Sequence, residues 1–244
     1  MFEFLDERER FANRTEAGRA LADRLRHLKG ERPVVLALPR GGVPVGFEVA
    51  KALGATLDVV LVRKIGAPFQ PELAIGAVVD GSRPEAVLNQ ALIDECEIPE
   101  SYLQAETARQ LAEIERRRAV YLAGRARAEV AGHTAIVVDD GIATGATMAA
   151  ALRATRRAGP KRLVMAVPVA PPDTIERLRP EVDEIVCLAT PRNLGAIGAF
   201  YADFRQLDDD EVIRLLEAAR VGEARDPPDE NEPALRRSAG MQIG

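Results

Sequence analysis

Two cysteines, Cys96 and Cys187, are too few for a disulfide framework and fit a reducing compartment. The opening MFEFLDERER is acidic and has no apolar core of signal-peptide length, and no later run approaches a membrane span. A cytoplasmic protein with no membrane partner is expected. The only two histidines, His27 and His133, lack metal-ligand spacing and read as structural or surface residues, so no metal held by the protein is expected. A net charge of −5 gives no overall pull towards nucleic acid. There is no internal repeat. Two familiar phosphate motifs are also missing: Gly145 is followed by Ala146 and not by the lysine of a Walker loop, and no triple-glycine fingerprint follows an early strand.

With 244 residues, 47% of them apolar, the chain is long enough for one good core, with room for a small accessory subdomain. Its most informative segment is Ile136–Thr147, IVVDDGIATGAT. The apolar run Ile136–Val138 reads as a buried parallel strand, with Asp139 and Asp140 where it ends. Gly141–Ala146 is a loop of small residues, and Thr147 opens the alanine-rich helix Met148–Arg157. Ala143, Thr144, Gly145, Ala146 and Thr147 thus place backbone N–H groups and a helix N-terminus around a cup suited to phosphate. The carboxylates beside the cup would accept hydrogen bonds from a vicinal diol. A ribose 5-phosphate moiety fits both halves. The plain alternative is an ordinary strand-to-helix turn capped by an acid.

Two further stretches carry the same theme. Val34–Leu38 is another apolar strand, followed by Pro39-Arg40-Gly41-Gly42 and then by Pro44 at the expected first helical position. Leu57–Val62 reads as a strand ending in Arg63-Lys64, with the loop Ile65–Leu73 after it. Taken together and in order, LPRGG, LVRKIGAP and VVDDGIATGAT resemble the motifs of type I phosphoribosyltransferases, most nearly the adenine-type purine members. The resemblance covers roughly residues 33–190. Gly141 departs from it, since the family more often has an aliphatic residue there.

The resemblance implies an open, mostly parallel twisted α/β sheet flanked by helices, with a small hood over the site. It implies an enzyme of nucleotide salvage that transfers ribose 5-phosphate from phosphoribosyl pyrophosphate to a nucleobase, releasing pyrophosphate. Asp139 and Asp140 would bind the ribose hydroxyls and stabilise the developing cation. Arg40, Gly41 and Gly42 would hold pyrophosphate, and Lys64 with Arg63 would arrive on a closing loop. Mg²⁺ would come with the substrate. In the family the pyrophosphate turn often holds a non-proline cis peptide, expected here at Arg40–Gly41. Phe200 and Tyr201, with Phe204, are candidates to stack on the base or else to close the core. A protein that only senses phosphoribosyl pyrophosphate is the alternative.

Around that core, the apolar spacing of Ala17, Leu21, Leu25 and Leu28 predicts a helix over Thr15–Lys29, capped by Asn13 or Thr15, as a hood within residues 1–32. Strands are expected at 74–79, 86–88, 163–169 and 185–188, and helices at 172–178 and 208–219. Residues 89–127 are an insertion absent from the compact purine enzymes, with one amphipathic helix over Glu100–Leu122. Its Arg116-Arg117-Arg118 run is either a solvated face, a cover for the site or the seam of a homodimer. Residues 191–221 would complete the hood and a last helix, and 222–244 are too polar to fold alone.

Overall fold

The computed structural model describes residues 10–80, 85–124 and 126–223. Asn13 opens the first helix, α1 (Arg14–Arg24), its side chain accepting from the Glu16 amide at 3.0 Å. After Leu25 the chain tightens into a 3₁₀ stretch, Arg26–Glu31. The predicted helix therefore keeps its apolar line, with Leu21, Leu25 and Leu28 fully buried, but not its α geometry to Lys29.

The rest runs β1 (Val34–Ala37), α2 (Gly42–Leu53), β2 (Thr56–Val59), β3 (Val62–Ala67), β4 (Gln70–Val79), β5 (Glu85–Leu88), α3 (Gln90–Glu95), α4 (Glu100–Leu122), β6 (Thr134–Val138), α5 (Ala146–Arg157), β7 (Arg162–Val169), α6 (Pro172–Leu178), β8 (Glu184–Ala189), a 3₁₀ turn at Ile197–Phe200, and α7 (Asp209–Glu223). Five strands form a parallel sheet in the order β2-β1-β6-β7-β8. The open α/β sheet inferred from the sequence is the observed one.

Strand alternation divides the core between the two faces of this sheet. Val35, Ala37, Ile136 and Val138 pack with Leu21, Val49 and Leu216 from α1, α2 and α7. Leu36, Ala135 and Val137 pack with Met148 and Leu152 from α5. The order also fixes where a ligand can sit. The chain leaves β1 towards β2 on one side and β6 towards β7 on the other, which opens a crevice at the carboxyl ends of two neighbouring strands. Pro39–Gly42 and Asp139–Gly145 flank that crevice.

The strand expected at Leu57–Val62 is divided. Its first part is β2; at Val60-Leu61 the chain leaves the parallel sheet and Val62 begins an antiparallel sheet, β3-β4-β5. Arg63 and Lys64 consequently lie inside β3, and the loop expected at Ile65–Leu73 is mostly the two facing strands β3 and β4. A continuous apolar run does not reveal a change of sheet, because both pieces are buried.

Helix α4 spans the predicted residues and runs along this hairpin. The Tyr102 hydroxyl donates to the Gly66 carbonyl at 2.8 Å, Arg63 Nε donates to Gln110 Oε1 at 3.0 Å, and Arg118 Nη1 pairs with Asp80 at 2.6 Å. Of the arginine run, Arg116 and Arg117 pair with Glu113 on their own helix, while Arg118 is buried against Asp80. The last helix continues to Glu223, taking in the first two residues of the expected tail, and residues 224–244 of that tail lie outside the described residues. Among the described residues no helix is long and apolar enough to cross a membrane.

Candidate active site

The loop after β6 is built as a cup. Gly145 adopts φ +78°, and a Cβ there would lie 2.8 Å from Thr174 Cγ2, so glycine is needed both for conformation and for space. Helix α5 starts at Ala146, one residue earlier than expected, and its first-turn amides have no partner within the helix. Ala143, Thr144, Ala146 and Thr147 are exposed around that N-terminus. From behind, α6 braces the loop: Thr174 Oγ1 donates to the Ala143 carbonyl at 2.8 Å, and Arg177 Nη2 to the Thr144 carbonyl at 3.3 Å. Nothing in the sequence near the motif pointed to Thr174 or Arg177.

The neighbouring turn after β1 interlocks with the acid pair. A Cβ on Gly41 would stand 2.0 Å from Asp140 Oδ2, and one on Gly42 would stand 2.7 Å from the Val138 carbonyl oxygen. Gly42 also donates its N–H to the Leu38 carbonyl at 2.9 Å. It is therefore a packing glycine here, not the anion donor expected from sequence. The cis peptide is Pro39–Arg40, one bond before the Arg40–Gly41 position anticipated. Arg40 is half-buried at the mouth of the turn.

Asp140 is buried and Asp139, at the end of the buried β6, is half-buried. Continuing the alternation of β6, Asp140 turns to the face that carries α1. There Arg14 Nε donates to Asp140 Oδ2 at 2.7 Å, with both side chains 11% exposed. The same guanidinium donates to the Arg205 carbonyl at 3.0 Å and lies 3.9 Å from the centre of the Phe204 ring. Tyr201 donates its hydroxyl to the Asp140 carbonyl at 2.5 Å. The Asp140 amide donates to Asp139 Oδ1 at 2.9 Å. Burial and then the adjacent Asp140 charge push the Asp139 carboxyl well above its ordinary value. Burial raises Asp140 too, with Arg14 pulling in the opposite direction.

Gly141, where the sequence departs from the family pattern, is needed for space, because a Cβ would lie 2.5 Å from Ile197 Cγ2. Phe200 and Tyr201 are 4% and 3% exposed, packed with Ala17, Val169 and Leu194. Tyr201 is stacked on Phe204 at 5.0 Å between ring centroids. Neither offers a face to a base in this structure, because closing the top of the core uses their surface. Arg63 and Lys64, being successive strand residues, point to opposite faces of β3; Arg63 is held by Gln110 and Lys64 is exposed. Arg14, the residue in closest partnership with the acid pair, escaped sequence reasoning because it lies 126 positions away.

Beside Arg14, on the face of α1, α2 and α7, is a cavity of about 360 Å³ with Pro44, Phe47, Leu207 and Leu215 in its lining and Arg205 and Arg214 also against it. No group of three or more His, Cys, Asp or Glu that could hold a metal ion occurs among the described residues.

A small-residue loop opening a helix, an acid pair and an arginine–glycine turn thus meet at the switch point of a parallel sheet. The chain belongs to the phosphoribosyltransferase family: the phosphoribosyl transferase domain model matches residues 12–204. Two Mycobacterium tuberculosis relatives with provisional phosphoribosyl transferase names are 47% identical over 227 residues, or 89% of this chain. The chain spans about half the length of these curated relatives, at 51%. The crystal structure of TT1426 from Thermus thermophilus is similar with a TM-score of 0.74 and 47% identity, covering 85% of this chain and 97% of that one.

Proposed function

We propose that the protein transfers ribose 5-phosphate from phosphoribosyl pyrophosphate to a flat heterocyclic acceptor and releases pyrophosphate. The observation that carries this reading is the interlock of Gly41 with Asp140, which brings the anion turn and the acid pair into one crevice beside the Gly145 cup. A donor with a phosphate at one end, a diol in the middle and pyrophosphate at the other end matches that order.

In the reaction a ring nitrogen of the acceptor attacks the anomeric carbon. The carbon–oxygen bond to pyrophosphate breaks, its electron pair leaves with pyrophosphate, and the proton displaced from nitrogen passes to solvent. Positive charge grows on the ribose between those events, and the carboxylates of Asp139 and Asp140 lower its energy in a site with little water. Amides at the start of α5 hold the 5-phosphate. Arg40 pairs with the pyrophosphate oxygens, and Lys64 supplies a second positive charge as the hairpin moves inward. Mg²⁺ bound to the substrate would neutralise part of the leaving charge. The cavity beside Arg14 has a volume within the usual range for small ligands, and its lining mixes Phe47 and Leu215, which could cover a flat ring, with polar groups such as Glu48, Arg205 and Glu211 that could bond its edge.

A second reading is a sensor that binds phosphoribosyl pyrophosphate without turning it over. The bonds from α4 to the hairpin at Gly66 and Arg63 favour it, since they oppose closure. One experiment separates the two. The protein is incubated with phosphoribosyl pyrophosphate, Mg²⁺ and a panel of purines, pyrimidines and related heterocycles, and pyrophosphate release is followed. Acceptor-dependent release that is lost in Lys64→Ala, with donor binding retained, establishes the transferase. Tight donor binding without release for any acceptor establishes the sensor.

A further inference from the structure

We infer that Arg14 is a positioning residue of the acid pair, pinning the Asp140 carboxylate as an anion against the Gly41 turn and tying it to the hood. Three contacts of one guanidinium carry this. They are the 2.7 Å bond to Asp140, the 3.0 Å bond to the Arg205 carbonyl and the 3.9 Å approach to Phe204. They join α1, the loop after β6 and the segment before α7, which are far apart in sequence.

The physical need is clear. Two adjacent carboxylates in a poorly hydrated crevice repel each other, and without a cation one of them takes a proton. The groups facing Asp140 are Arg14 from α1, Asp139 on its own turn, the Tyr201 hydroxyl from the hood and the Gly41 turn that carries Arg40. Arg14 is the cation bonded directly to it. A planar fork bonded to the carboxylate and stacked on a ring also fixes direction, which a lysine ammonium would not. The catalytic consequence rests on the transferase reading: an ionised, immobile Asp140 keeps negative charge beside the ribose without reorganisation.

The test titrates the carboxyl carbons of ligand-free protein by ¹³C NMR, with Asp140→Asn identifying the Asp140 signal. In Arg14→Met the Asp140 midpoint should rise by about 1–3 pH units, and Arg14→Lys should recover most of that shift. Arg14→Gln, which keeps a hydrogen bond without the charge, replaces the Met variant if that does not fold. A midpoint unchanged in a folded neutral variant overturns the inference, whatever the activity. In the transfer assay, kcat of Arg14→Met should be low at neutral pH and recover as pH rises, while donor affinity stays nearly constant. Equal loss of kcat at every pH would show a merely structural role and also overturn it. A wild-type protein that transfers to no acceptor would sink the transferase reading alone, and the titration would still decide Arg14.

Discussion

Asp140 is packed so closely against Gly41 that a single methyl group on residue 41 would stand 2.0 Å from its Oδ2 atom. Two loops from neighbouring strands are thereby packed together, with the Asp140 carboxylate in the space a side chain at residue 41 would occupy. Gly41→Ala should drive the Asp140 carboxylate from Arg14 at a cost of about 1–3 kcal/mol, as overpacking of a tight interior does. Thermal unfolding would show a lower Tm, and pyrophosphate release should fall in the same variant. An unaltered Tm and rate would mean that the turn gives way freely.

Gly145→Val should remove the stabilisation conferred by phosphoribosyl pyrophosphate. At φ +78° a side chain is strained, by about 1–2 kcal/mol, and its Cβ meets Thr174. Ligand that binds only the folded state raises Tm by mass action, so the loss of the cup appears as loss of the shift. A shift of wild-type size in the variant would place the donor elsewhere.

Asp139→Asn should stabilise the ligand-free protein at neutral pH and not in acid. The folded-state value of Asp139 is raised by burial and by Asp140, so folding favours its protonated form. Below the ordinary carboxylate range the group is protonated in both states and costs nothing. As pH rises through the raised folded value, the full penalty appears. The variant should then gain about 2–4 °C in Tm for each kcal/mol relieved, with kcat reduced by the lost charge. Identical Tm differences at pH 4 and pH 8 would contradict this assignment.

Arg118→Met should cost about 1–3 kcal/mol, because it removes one of the two arginines, with Arg127, that pair with the buried Asp80 carboxylate. Asp80 is pushed up by burial, against the pull of Arg118 and Arg127, and its side chain is 2% exposed. Arg118→Met together with Asp80→Leu should recover much of the loss in a denaturant titration. Full stability in the single variant would show that α4 is not held to the hairpin through this pair.

Leu215→Arg places a long charged side chain against the cavity beside Arg14. If the acceptor binds there, its KM should rise at least about tenfold, a loss of some 1.4 kcal/mol, while donor affinity stays constant. Unchanged acceptor KM would exclude the cavity as its route.

Much of the fold was legible in the chain because its signals are local. Ile136–Val138 before two acids reads as a buried strand, Glu100–Leu122 without glycine or proline reads as a helix, and both appear in the structure. The Gly145 cup is also local, because strand, small-residue loop and helix follow within a dozen positions.

What the chain could not show is what depends on a neighbour far away in sequence. The break of the Leu57–Val62 run into β2 and β3 is decided by which sheet each half pairs with, and both halves have the same apolar pattern. Phe200 and Tyr201 are, by their residue types alone, equally able to stack on a ligand or to fill the core; packing against Ala17 and Val169 puts them in the core. Gly41 carries no sign of the carboxylate it admits, and Arg14 none of the carboxylate it pairs with, 126 residues on. Residue identity and periodicity determine the elements and the kind of chemistry. Only tertiary packing decides how charge is distributed within the acid pair, because that depends on which cation and which covering atoms the fold brings to it.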